Sequence, residues 1–278
     1  MGSPRPAARF DRNARLLGLE AVERLLRARV AVLGLGGVGS FSAEALARAG
    51  VGSLTLVDGE RVDETNANRQ LHALDGEFGR FKAEVLAERL RRVAPASRIE
   101  AACEPYSAES APRLVERGLS FVVDAMDTVV AKLHAIARCR ELGVPVVTVL
   151  GSAGRLDPTA IEVTDLCESH TDQLAKDVRK YLRRRHGISA AQPLGVLAVW
   201  SKEAPRPTLA LPGDEEGIPG VRPAGPGRRP PKCFGSVAFV TGAFGLAAAG
   251  AVVQTISGVS PPARPVDEAE RRRRRKSR

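Results

Sequence analysis

The stretch RVAVLGLGGVGSFSAEALARAG, residues 29–50, decides the fold. Residues 30–33 are a short apolar run, the mark of a buried strand. Gly34-Leu35-Gly36-Gly37-Val38-Gly39 follows, and residues 40–49 read as a helix. In such a strand–turn–helix, Gly34 permits the tight turn. Gly36, beside Gly37, lets backbone approach a phosphate, and Gly39 lets helix and strand pack closely. Free N–H groups and the positive end of the helix then favour an anion. Asp58 stands about 20 residues further on, after a second strand at 53–57, where a carboxylate can accept ribose hydroxyls. A redox dinucleotide and ATP satisfy this pattern equally, and a turn needed only for packing would share it.

Outward from that unit the chain alternates. Residues 11–28 predict an amphipathic helical lead-in, and 82–93 a helix stopped by Pro95. Further strands are expected at 99–103, 121–123 and 144–150, and helices at 111–117 and 129–142. Beyond Gly151 the pattern loosens into strands at 161–164 and 196–201, with a helix at 171–185 between them. The expected class is α/β: a Rossmann-like, doubly wound, mainly parallel sheet with helices on both faces and a C-terminal extension of mixed strands and helices. One domain is expected over 9–258. It is interrupted by an excursion at 205–231 with eight prolines, and a basic, disordered tail follows at 261–278.

The stretch after Asp58, DGERVDETNANRQLHAL, bears on whose phosphates are held. It puts Asn66, Arg69 and Gln70 in one polar loop, with Lys82 opening the next helix. Hydride transfer has no general need for two cations over the phosphates. An adenylating site does, because fixed positive charge stabilises departing pyrophosphate. Asp127, ending the strand at 121–123, could hold Mg²⁺ through its carboxylate. Taken singly, each residue could also be an ordinary solvated loop charge.

These features together resemble the ubiquitin-activating-enzyme-like adenylating proteins, the MoeB/ThiF group. The shared strings are RFDRN at 9–13, GLGGVG, Asp58, N-x-x-R-Q at 66–70, Lys82 and VVDAMD at 122–127. NRQLHAL, GRFKAEVLAERL, VVDAMDT, DPTAIEVTDL and HTDQLAK are most similar to the tRNA threonylcarbamoyladenosine dehydratases of that group. The resemblance implies that Asp58 holds the ribose, that Asn66, Arg69 and Lys82 hold the phosphates, and that Asp127 manages Mg²⁺. It implies that Gln70 shapes the loop and that Arg12 reaches across a homodimer into the neighbour's ATP site. The implied reaction is ATP-dependent dehydration of threonylcarbamoyladenosine in tRNA through a carboxyl adenylate, with release of AMP and pyrophosphate. Adenylation of the C-terminus of a sulfur-carrier or ubiquitin-like protein is the alternative substrate. A non-catalytic nucleotide- and RNA-binding module is the alternative of another class, and a dehydrogenase would leave Arg69, Lys82 and Asp127 idle.

Bulk properties fit this reading. Of 278 residues 44% are hydrophobic but only 4% aromatic, so the core must be built on Ala, Val and Leu. The net charge of +10 is concentrated in the RRRRRKSR ending, which holds seven positive charges. For that run a soluble tail is favoured over a dedicated RNA contact. Four dispersed cysteines form no C-x-x-C pair, which argues against the zinc sites of sulfur-carrier activators and for a reducing cytoplasm. The N-terminus lacks an apolar signal region. Cys233 is expected to be a small half-buried residue rather than a transfer nucleophile. The uncharged stretch 236–258, rich in Ala and Gly, is expected to be a core helix and not a membrane span, so no membrane contact is expected. No motif points to a sulfur-transfer partner. Lys176, Arg179, Lys180 and Arg183 recur at helical spacing and are expected on one face, extended by Arg184, Arg185 and His186, as a candidate tRNA surface or simply a solvated one. His170 is expected to be a structural hydrogen-bonder.

Overall fold

A computed structural model of the chain describes residues 8–209, 211 and 235–259. The elements in chain order are α1 (Asp11–Leu17), α2 (Leu19–Arg27), β1 (Arg29–Leu33), α3 (Gly39–Ala49), β2 (Ser53–Val57), α4 (Lys82–Val93), β3 (Arg98–Ala102), α5 (Ala111–Leu114), β4 (Phe121–Asp124), α6 (Val129–Leu142), β5 (Val146–Val149), β6 (Ile161–Asp165), α7 (Gln173–His186), β7 (Leu197–Ser201) and α8 (Ala238–Ser257). They form one seven-stranded sheet of order β3-β2-β1-β4-β5-β7-β6. All neighbours pair parallel except β6, which runs antiparallel to β7 at the edge.

The Val/Leu-rich strands bury both faces, as strands of a parallel sheet must. Alternate residues point to opposite sides. Val30, Val32, Leu54, Leu56 and Val123 pack under α3, α4 and α8, while Ala31, Leu33, Val122, Ala198 and Trp200 pack under α6 and α7. Because β2 and β4 flank β1, strand order reverses direction there, and the loops after β1 and β4 open side by side. That is where sheets of this kind bind ligands.

Three sequence expectations are corrected. The lead-in is two helices, broken at Gly18 where φ is +91°. The helix expected over 111–117 is the single turn of α5, ending at Leu114. Strand β5 covers Val146–Val149, shorter than the apolar run suggests. The stretch expected to be a core helix forms α8. Among the described residues it is the one helix long and apolar enough to span a bilayer, yet half of it is buried. It lies against α2, α3 and the strands β4–β7, and its glycines let it come close: a Cβ on Gly245 would stand 2.4 Å from the Val38 carbonyl oxygen. Cys233, the tail and most of the proline-rich excursion lie outside the described residues.

Candidate active site

The glycine turn is built for close approach. Gly34 has φ +85°, and a Cβ there would stand 2.9 Å from the Ala125 carbonyl oxygen, so the loops after β1 and β4 touch. A Cβ on Gly39 would sit 1.8 Å from the Gly34 carbonyl oxygen, inside its van der Waals shell. Gly37 faces Arg69 and Thr241, and Gly36 faces the Gln70 amide nitrogen. A second wall thus comes from the loop after β2 and a third from the first turn of α8.

Asp58 closes one end. Its carboxylate accepts the Leu35 N–H at 2.7 Å and the Glu60 N–H at 2.8 Å. Burial holds its pKa above the ordinary carboxylate value, against the pull of those two N–H groups and of Lys82. The Lys82 side chain is buried to 5% exposure and pairs with Glu60 at 2.6 Å. Glu60 itself is 72% exposed, so this partner can swing into solvent when a polyanion arrives.

Asn66, buried, accepts the Asp63 N–H and completes a capping box around the turn Glu64–Asn66. That turn delivers Arg69, whose guanidinium donates to the Thr65 carbonyl at 2.7 Å and to Asn68 at 2.9 Å. Gln70 is buried, and its side-chain oxygen has no partner among the described residues. An unpartnered acceptor beside the turn, and a turn that any Cβ would fill, both fit a bound nucleotide. Asp127 is exposed in the loop after β4 and accepts the Thr128 hydroxyl at 3.3 Å. One carboxylate together with substrate phosphates is an ordinary Mg²⁺ environment. Among the described residues, no group of three or more His, Cys, Asp or Glu could form a protein-only metal cage.

Arg12 is exposed and is not brought to this site within one chain. Its neighbour Asn13 donates to the carbonyls of Arg48 and Ala49, in the last turn of α3. The glycine turn is at the first turn of that helix, about 16 Å away at 1.5 Å per residue. Beside Arg12 lies an apolar groove of about 540 Å³ between α1, α3 and α8, lined by Leu16, Leu17, Phe41, Leu246 and Val253. Leu16 is 81% exposed.

The basic helix α7 divides its cations. Lys176, Lys180 and Arg183 are exposed. Arg179 departs from the expected shared face: its guanidinium turns inward to the Ser169 carbonyl at 2.7 Å and the Ser169 hydroxyl at 2.5 Å. His170 packs on Trp200 with ring centroids 4.2 Å apart, a packing contact that fits the structural role expected of it.

Sequence reasoning passed over a buried polar cluster beneath Asp127. Lys132 donates to the Asp124 carboxylate at 2.9 Å, to the Thr148 hydroxyl at 3.2 Å and to the Val149 carbonyl at 2.9 Å, with both charged side chains fully buried. Asp124 also accepts the Met126 N–H, which sets the course of the loop to Asp127. A Lys in the first turn of a helix reads as a surface charge in the sequence, so its signal was only the uncharged company it keeps. Asp172 of the HTD string proves to be a structural hub: it caps α7, accepts the Gly151 N–H and pairs with buried Arg155 at 3.1 Å.

With this geometry in place, three comparisons bear on the chain. The ThiF family profile matches residues 10–273. The Escherichia coli tRNA threonylcarbamoyladenosine dehydratase is 39% identical over 245 residues, covering 86% of this chain and 90% of that protein. Its Bacillus subtilis counterpart is 41% identical over 196 residues, covering 70% and 75%. The crystal structure of the Escherichia coli enzyme, TcdA, in complex with ATP superposes with a TM-score of 0.78 at 37% identity, covering 90% of this chain and 94% of that one.

Proposed function

We propose, from the premise that this chain belongs to the ThiF family, that it catalyses ATP-dependent dehydration of threonylcarbamoyladenosine in tRNA. The observation that carries the reading is the crevice between β1 and β4. There the Gly34 turn meets Ala125, Asp58 closes one side with Lys82 near it, and Arg69 and Gln70 stand against Gly37 and Gly36. The high-coverage relatives that bear this activity in their names support the choice of substrate. The acting unit is residues 9–258, working in the cytoplasm.

The substrate carboxylate attacks the α-phosphorus of ATP and displaces pyrophosphate, forming a mixed acyl–AMP anhydride. A nitrogen of the same modified side chain then attacks the activated carbonyl, loses its proton and expels AMP. The carboxylate oxygen leaves on AMP, so the nucleoside loses one water. Nucleophile and electrophile share one side chain, which supplies a high effective molarity without a protein nucleophile. Asp58 receives the ribose hydroxyls. Arg69 and Lys82 hold the β- and γ-phosphates, Lys82 exchanging Glu60 for phosphate oxygen, and Asn66 and Gln70 shape the loop. Asp127 would hold Mg²⁺, which offsets phosphate charge when bound.

The site is completed by a homodimer. The apolar groove beside α1 is the surface a second copy covers, and Arg12 from that copy supplies the remaining cation. The exposed cations of α7 bind the tRNA backbone.

The test is incubation with ATP, Mg²⁺ and tRNA bearing threonylcarbamoyladenosine, followed by mass measurement of the digested nucleosides. The expected product is lighter by one water, with AMP formed in equal amount. An unchanged nucleoside overturns the reading.

A further inference from the structure

On the face of the sheet covered by α5, α6 and α7 lies a pocket of about 210 Å³ that the reaction above does not use. Its walls are Ala111 and Pro112 of α5, His134, Arg138 and Glu141 of α6, and His186 at the end of α7. We propose that His134, Arg138 and His186 form a seat for one backbone phosphate of the tRNA. The proposal rests on the tRNA reading above.

The chemistry of the walls selects an anion. The Tyr106 hydroxyl lies 3.0 Å from His134 Nδ1. Burial raises the Tyr106 pKa, so the phenol keeps its proton and can donate it to Nδ1. The imidazole is then held in the tautomer whose remaining N–H is at Nε2. That N–H, the Arg138 guanidinium and the His186 ring are donors around one small hollow, matched to phosphate oxygens. Two acidic groups stand nearby, one of them the wall residue Glu141. Glu141 is 72% exposed and stands 4.0 Å from Arg138, and Glu109, exposed in the preceding loop, bonds the Ser107 hydroxyl. Burial, His186 and Arg138 together lower the pKa of His134, while Glu109 and Glu141 oppose them. A phosphate arriving beside His134 adds negative charge that opposes this lowering, so binding favours protonation of His134 and tightens as pH falls.

Position favours RNA over a free anion. The pocket opens beside exposed Arg183, Arg184 and Arg185, so a strand lying along α7 meets it without a gap in positive charge. Helix α6 starts two residues after Asp127, and His134 and Arg138 lie roughly 8 and 14 Å along it at 1.5 Å per residue. A modified nucleoside presented to ATP at the crevice and a phosphate in the pocket can thus belong to one RNA molecule.

The chain has four histidines, so their ring signals can be resolved by NMR in the full-length protein. Inorganic phosphate is expected to shift His134 and His186 and leave His72 in place. In filter-binding with tRNA, His186→Ala is expected to lower the slope of log affinity against log salt by about 1. His134→Ala should flatten the gain in affinity between pH 8 and pH 6. Lys176→Ala should lower the salt slope and leave that pH dependence intact. Absence of phosphate-induced shifts overturns the seat. Shifts with an unaltered salt slope in His186→Ala assign it to free phosphate and overturn the RNA assignment. Phosphate shifts in a protein that fails to retain tRNA support the anion seat and overturn the substrate reading instead.

Discussion

At the scale of single residues, the glycine turn and its partners separate packing from chemistry. Gly39→Ala places a methyl group on the Gly34 carbonyl oxygen, a backbone clash no rotamer relieves. Its expected outcome is loss of soluble folded protein or of ATP binding, read by differential scanning with and without ATP. Arg69 is different: it touches only its own loop and the face of Gly37. Arg69→Ala is expected to cut AMP formation about 10²-fold, the usual scale for removing a charge-stabilising donor. Its melting temperature should barely move. Normal AMP formation in this variant would refute the phosphate assignment. His72 carries a pH prediction. It is 1% exposed, both ring nitrogens lack protein partners, and burial beside Lys82 pushes its pKa down to about 4. Between pH 4 and 6.5 the unfolded chain binds this proton and the folded one does not, so stability rises with pH across that window. The size is about 3 kcal/mol in all, on 1.36 kcal/mol per pKa unit. Urea melts at pH 5 and pH 7 are expected to diverge less in His72→Gln than in the unaltered chain. Gln70, Arg69 and Lys82 stood out in the sequence as candidate site residues because polar residues of these types bunch after a strand end. Glu60 was not, since nothing in sequence says that it neutralises Lys82 meanwhile.

Elements were read more faithfully than their junctions. The strand Ser53–Val57 and the helices Lys82–Val93 and Val129–Leu142 have the bounds that periodicity, a stopping proline and a closing glycine predict. The lead-in misled because Leu16, Leu17 and Leu19 keep helical spacing across Gly18, while the backbone there turns to positive φ. Periodicity reports which face is apolar, not whether the axis is continuous. The Lys132 cluster was missed for a related reason: burial of a charge depends on α6 lying over β4 and β5, which is a tertiary fact. Lys132→Met leaves Asp124 buried without its cationic partner, and breaking such a pair typically costs about 3–5 kcal/mol. Denaturant unfolding should show that loss. The double variant Lys132→Met with Asp124→Leu should recover much of it, while its ATP turnover stays low because Met126 loses the acceptor that steers the loop to Asp127. Recovery of both would make the cluster a matter of stability alone.

At the scale of the whole molecule, the strand order and the crevice follow from alternating elements, so the ligand edge was predictable before any coordinates. The homodimer proposed above was suggested in the sequence only by resemblance, because exposed Leu16 and Leu246 look ordinary there. Leu16→Asp is expected to shift the chain from dimer to monomer in light scattering and to abolish AMP formation. Mixing an Arg12→Ala chain with an Arg69→Ala chain should restore part of the activity, since one of the two mixed sites is intact. A fully active monomer would remove any role for Arg12 in trans. The last helix has a further consequence. Thr241 backs the glycine turn at Gly37, and Ser42 of α3 donates to the Gly245 carbonyl at 2.9 Å. Among the described elements α8 comes last in chain order, so the seven strands emerge from the ribosome before the helix that backs the Gly37 turn. Chains cut before α8 are therefore expected to bind ATP weakly even where the strands have formed, which ATP titration of such truncations would read.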